Sequence, residues 1–118
     1  MKLLNRKGHA LADYGLTLVQ WLIPEIVGVN KNAVYLYRVL GTNLAIYNTL
    51  TDQPLAIKKV IPCKSHYRID LGNVALLALL TLHKNMRTDK RALRFHLGLV
   101  TLAALNILFT DWSANDRD

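Results

Sequence analysis

Two histidine–aspartate pairs carry the chemistry open to this chain. His9 and Asp13 stand four residues apart, and so do His66 and Asp70. On a helix that spacing puts imidazole and carboxylate on one face as neighbours. A carboxylate near a helix start is favoured by the helix dipole and favours a charged imidazole beside it. Two chemistries follow. Each pair can fix the angle of its own helix and anchor it at a polar boundary. Alternatively the two pairs meet, and a cluster of two imidazoles and two carboxylates relays protons, holds a divalent metal or binds a polar head group. Neither H-E-x-x-H nor a pair of C-x-x-C motifs is present, so no metal and no other cofactor is expected.

The pairs belong to a repeat. Lys7-Gly8-His9-Ala10-Leu11-Ala12-Asp13-Tyr14-Gly15 returns as Lys64-Ser65-His66-Tyr67-Arg68-Ile69-Asp70-Leu71-Gly72, a constant offset of 57. Leu40-Gly41 is echoed by Leu97-Gly98 at the same offset, and Leu50-Thr51-Asp52 by Phe109-Thr110-Asp111 at 59. An internal repeat dictates architecture before anything else does. Here the units run over about 7–52 and 64–111, with a connector at about 53–63 and a short polar tail at 112–118.

Each unit must supply two helices to position its pair. Apolar residues make up 52% of the 118 and charged residues 19%, and the fifteen Lys and Arg lie mainly between the apolar segments. Helices in lipid need that segregation, because the backbone satisfies itself inside the bilayer while charges reach water or head groups. The four segments are Ala10–Val29, Ala33–Leu50, Leu71–Leu82 and Phe95–Thr110. The last two are short and must borrow flanking residues such as Arg68, Lys84 and Arg94. The expected fold is all-α: a four-helix transmembrane bundle of two tandem hairpins, the repeat parallel and not inverted. Asn43, Asn48, Asn73, Asn106, Thr42, Thr101, Gly41 and Gly98 are read as helix-packing positions. Trp21, Tyr35, Tyr37, Tyr47, Phe109 and Trp112 are read as interfacial aromatics.

Asp52 and Pro54 suit the start of a short amphipathic helix in the connector. A retained first helix is expected, since Asp13, Gln20 and Glu25 interrupt what would otherwise resemble a signal peptide. With two spans per unit, both pairs, both termini and the connector share one side. Basic residues divide nearly evenly between the sides, which gives a slight lean toward cytoplasmic termini. Lys58, Lys59, Lys64, Arg68, Lys84, Arg87, Lys90, Arg91 and Arg94 are assigned to anionic head groups. Glu25 is a secondary candidate, either solvated at the far boundary or a second ionisable point beyond Asp13.

These residues resemble the SPW-repeat family of small bacterial membrane proteins. The likeness rests on His9-x-x-x-Asp13-Tyr14, Leu50-Thr51-Asp52, Leu55-x-x-x-Lys59-Val60-Ile61-Pro62 and His66-x-x-x-Asp70-Leu71, and spans residues 3–111. The namesake Ser-Pro-Trp is degenerate: Ile23-Pro24-Glu25 keeps the proline alone, and Leu80-Thr81-Leu82 keeps none of the three. The resemblance implies a membrane-embedded helical bundle in a bacterial inner membrane, and no activity.

The leading expectation is therefore a non-enzymatic integral membrane protein, structural or accessory, in a homo-oligomer or a larger membrane assembly. A transport or proton-relay element built on the two pairs is the second. The third is a soluble basic bundle binding nucleic acid or acidic partners. A net charge of +7 suits it, but there is no nucleic-acid motif.

Overall fold

The computed structural model describes residues 2–112. Among them the chain is all-helical, with five helices and no β-sheet. They are α1 (Arg6–Ile26), α2 (Lys31–Thr49), α3 (Cys63–Leu80), α4 (Lys84–Arg87) and α5 (Lys90–Leu108). The four long helices run about 27–32 Å each at 1.5 Å per residue. α3 takes in Arg68 and α5 takes in Arg94, whereas Lys84 joins neither and opens α4, and α3 ends at Leu80 rather than Leu82.

Local chemistry sets the boundaries. The Asn5 side chain accepts from Gly8 N (2.8 Å) at the start of α1, and Asn30 accepts from Ala33 N (2.9 Å) at the start of α2. Asp89 accepts from Arg91 N (3.0 Å) to start α5. Each cap satisfies amides that the first turn of a helix leaves without partners. α1 stops at Gly28, whose φ of +79° is open to glycine at little cost. The two caps Asn30 and Asp89 also hold each other: Asn30 N and Nδ2 both donate to Asp89 Oδ2 at 3.0 Å. Those donors keep the Asp89 carboxyl below the usual carboxylate range.

The second helices of the two units align at an offset of 59, not 57, as their identical lengths and matching caps require. The Leu-Gly echo at 57 is thus a coincidence of sequence. Gly41 is buried under Trp21, where an added Cβ would lie 3.0 Å from the indole, whereas Gly98 faces open space. The position matching Gly41 is Val100.

The connector also departs from expectation. No helix forms between Thr51 and Pro62, because carbonyls at the end of α2 claim its amides. Ile57 N and Lys58 N donate to Thr49 O (2.9 and 3.2 Å), and Val60 N and Ile61 N donate to Leu50 O (2.8 and 2.7 Å). The connector becomes a strap that caps α2. Parallel bridges join Thr51 to Ile61 and Leu4 to Thr110. Each unit's end is thereby tied to the other unit's beginning, and the pseudo-twofold axis runs along the bundle.

The interior is as polar as it is apolar. Ala33, Tyr37, Leu44, Leu77, Met86 and Leu99 are among the buried apolar residues, and His9, Asp13, Thr17, Gln20, Asn48, His66, Asp70, His96 and Asn106 are buried beside them. Leu11, Leu18, Leu22, Ile26, Ile46, Leu71, Leu79, Leu97, Leu102 and Leu108 point outward instead.

Candidate functional site

The four residues of the two pairs meet at the end of the bundle where α1 and α3 begin. His9 Nε2 lies 2.8 Å from Asp70 Oδ2 and 3.2 Å from Asp13 Oδ2. His66 Nε2 lies 2.9 Å from Asp13 Oδ2 and 3.2 Å from Asp70 Oδ2. Each imidazole therefore makes its shorter contact with the other unit's carboxylate. All four side chains are at most 7% exposed. The rings pack edge to face, with centroids 5.4 Å apart.

Residues at and just past the ends of the second helices hold the outward side of each ring. His9 Nδ1 is 2.8 Å from Thr110 Oγ1 and 3.2 Å from Asn106 O, and His66 Nδ1 is 2.6 Å from Thr51 Oγ1. The distal carboxylate oxygens are also engaged. Tyr47 Oη donates to Asp70 Oδ1 (2.8 Å) and Asn106 Nδ2 donates to Asp13 Oδ1 (2.9 Å). Tyr47 and Asn106 occupy matching positions of the repeat, as do Thr51 and Thr110. Asn73 Nδ2 donates in turn to Tyr47 Oη at 3.0 Å.

Donor accounting fixes the protons. The Thr51 hydroxyl gives its hydrogen to Tyr47 O, and the Thr110 hydroxyl gives its own to Asn106 O. Each threonine oxygen can then only accept from the facing Nδ1, so Nδ1 carries a hydrogen. With both carboxylates ionised, Nε2 can only donate to the oxygens it faces and carries one too. Both rings are imidazolium, and two positive rings alternate with two carboxylates in a cage without net charge. Pairing of that kind offsets the cost of burying each ion.

Below the cage, a cavity of about 50 Å³ is lined by Asp13, Asp70, Tyr47, Asn73, Asn106 and Gln20 on its polar side and by Leu16, Leu44, Leu77 and Leu99 on its apolar side. One water needs roughly 10–15 Å³ measured this way, so the space holds a few. Asn106 Oδ1 is buried without a hydrogen-bond partner among the described residues. Above the cage, Trp112 covers it, its ring 4.5 Å from His9 and 6.3 Å from His66.

The other candidates lie elsewhere. Glu25 is exposed and paired with Arg38, so no ionisable path continues from Asp13 through Gln20 to Glu25. Lys58, Lys59, Lys64 and Arg68 are exposed at the cage end, and Lys84, Arg87, Lys90, Arg91 and Arg94 are exposed around α4 and the start of α5. Two supposed interfacial aromatics are interior: Tyr47 belongs to the cage, and Tyr37 is fully buried. Tyr37 Oη donates to Met86 Sδ (3.4 Å) and lies 2.7 Å from His96 Nδ1, while His96 Nε2 donates to Leu77 O (2.6 Å), a carbonyl in the last turn of α3.

The supporting groups Tyr47, Thr51, Asn106 and Thr110 were not singled out from sequence as site residues. The signal for two of them was present in the repeated Leu50-Thr51-Asp52 and Phe109-Thr110-Asp111. No family model, curated protein or solved structure matches the chain.

Proposed function

We propose that this chain is a small integral membrane protein of structural or accessory type, in which two tandem hairpins cross the bilayer and are locked together by the buried His–Asp cage. The observation that carries this reading is the inverted distribution of polarity. His9, Asp13, Thr17 and Gln20 form an inward stripe on α1, while Leu11, Leu18 and Leu22 are 62%, 54% and 54% exposed on its outer face. In water, burying polar groups while exposing leucines works against folding. In lipid the same distribution is favourable.

Among the described residues only α5 is long and apolar enough to pass as a span on average hydropathy, and 28% of its apolar window is buried. Averages undervalue α1 and α3, whose polar residues face one another across the axis. The bundle measures 45 Å along its longest axis, comparable with the ~40–45 Å of a bilayer with its head groups. The exposed bases at both ends suit anionic head groups, and the outward leucines of α3 suit lipid or a second copy. The likeness to SPW-repeat proteins, a bacterial inner membrane and cytoplasmic termini belong to the same proposal.

Membranes from expressing cells, washed with high salt and then alkaline carbonate, should keep the protein until detergent is added. Release by either wash would reject the spanning bundle in favour of a basic soluble module.

The cavity under Asp13 and Asp70, which both carboxylates line, favours a second reading, a proton- or ion-relay element. It requires that replacing both aspartates with asparagine lower proton flux in reconstituted vesicles while the protein still inserts. Equal flux before and after the replacement removes it.

A further inference from the structure

We propose that His9, Asp13, His66 and Asp70 form a binding site for one divalent transition-metal ion of the zinc type, with the imidazolium cage as its metal-free state. No metal-binding sequence motif is present; the convergence of the two pairs and the side-chain geometry carry the site, and it holds whether lipid or water surrounds the bundle. Two Nε2 atoms and two carboxylate Oδ2 atoms converge on one point, and the four donors lie within 4.8 Å of one another. The four sides of this ring measure 2.8, 3.2, 2.9 and 3.2 Å. Tetrahedral coordination at about 2.0–2.1 Å needs all six donor–donor distances near about 3.3 Å, so the sides open by up to about 0.5 Å and the longest separation, now within 4.8 Å, closes by as much as about 1.5 Å.

The surroundings are those of a metal site. Histidine ligands characteristically donate their remaining ring N–H to an oxygen that fixes ring orientation. Here Nδ1 of His9 donates to Thr110 Oγ1, and Nδ1 of His66 donates to Thr51 Oγ1. Ligating carboxylates are likewise held through their other oxygen, the task performed by Tyr47 and Asn106.

Charge also balances. A divalent ion replaces the two Nε2 hydrogens, leaving two neutral imidazoles and two carboxylates around a charge of +2. The two protons leave to solvent, the buried site stays without net charge, and the outer hydrogen bonds to Nδ1 and Oδ1 can keep their partners. The donor set selects the metal. Two imidazoles and two carboxylates suit zinc and its first-row neighbours, whereas calcium takes six to eight oxygens and magnesium near-octahedral oxygen ligation.

Cobalt(II) is the probe, because a four-coordinate site gives it intense visible d–d absorption and the aqueous ion is nearly colourless. The full-length protein, stripped with chelator in detergent, is titrated with Co²⁺ and then with Zn²⁺. The expected result is an absorption band that saturates at one equivalent and disappears on adding zinc. The band should be lost in His66→Gln and kept in Asp89→Asn at the opposite end of the bundle.

A second measurement needs no change in the cage. The chain has two tryptophans, so Trp21→Phe leaves Trp112 as the sole indole, 4.5 Å from the His9 ring. One equivalent of Co²⁺ should quench most of its emission. A cobalt spectrum that stays that of the aqueous ion, with unquenched Trp112, overturns the site. A band that persists in folded His66→Gln also overturns it, by placing the ion elsewhere.

Discussion

The two hairpins share one plan and are packed differently. α1 and α2 bury seven and six residues, while α3 and α5 bury three and five. The first hairpin closes on itself. Gly41 admits Trp21, Asn48 Nδ2 donates across to Ala10 O (3.0 Å), and Trp21 Nε1 reaches Thr42 Oγ1 (3.2 Å). The second has no such seam. His96 joins its helices through the Leu77 carbonyl, α4 inserts the buried Met86 against Tyr37, and Leu71, Leu76 and Leu79 of α3 stay outward. Yet both units give the cage one imidazole, one carboxylate and one threonine hydroxyl apiece. Symmetry is kept where ions are buried and relaxed where only packing is at stake, because an unpaired buried charge costs far more than a loose apolar contact.

The largest expected effect tests that equality. Asp13→Ala and Asp70→Ala each leave two imidazolium rings with a single carboxylate. Breaking a buried pair from one side costs about 3–5 kcal/mol, so both variants should lose most of their unfolding free energy in detergent, and by similar amounts. A markedly smaller loss for one would show that the cage is not shared evenly.

Glycine substitutions sharpen the contrast in packing. Gly41→Val pushes two methyl groups toward Trp21 and should destabilise by about 1–3 kcal/mol. Tyr37→Phe, which removes the hydroxyl that bonds buried His96 and Met86, should cost about 1–3 kcal/mol and loosen the second hairpin selectively, as protease sensitivity of the 81–89 segment would report. Smaller still is Asp89→Ala, which removes the α5 cap and should cost about 1 kcal/mol. The Asp89 carboxyl is held below its ordinary range, so its contribution is present at neutral pH. That contribution fades as pH falls through the lowered pKa, and the gap between wild type and variant should close on acidification. Gly98→Ala, by contrast, fills open space in a helix interior and should stabilise by about 0.5–1 kcal/mol. If Gly41 and Gly98 respond alike, the two hairpins are not packed as described.

Much of this arrangement is written locally and some of it is not. The i, i+4 spacing of each His–Asp pair and the recurrence at 57 place both pairs at equivalent helix starts. Two helices per unit then put those starts at the same end. What local pattern cannot convey is which residues of the second helices complete the site. Tyr47 and Asn106 differ in type, so their equivalence is invisible until the offset of 59 is known. Tyr47 near a segment end looks interfacial until a carboxylate is found beside its hydroxyl. Asp52 and Pro54 have the chemistry of a helix start, but the free carbonyls of Thr49 and Leu50 compete for the same stretch of amides and win. Glu25 could have faced either way. Arg38, about two turns into the facing helix, draws it outward.

The paired bridges at Leu4–Thr110 and Thr51–Ile61 have a topological consequence. The join between the hairpins and the meeting of the chain's first and last described residues are built alike, with Asp52 N donating to Ile61 O and Asp111 N donating to Leu4 O, both at 2.7 Å. The molecule is in effect a ring with one covalent link left open, and which link is open should matter little. A circular permutant cut at Lys58 and spliced from Trp112 to Lys2 should assemble the same bundle, recognisable by an unchanged helical circular-dichroism spectrum and unfolding midpoint. Failure to assemble would mean that the connector does more than its hydrogen bonds account for.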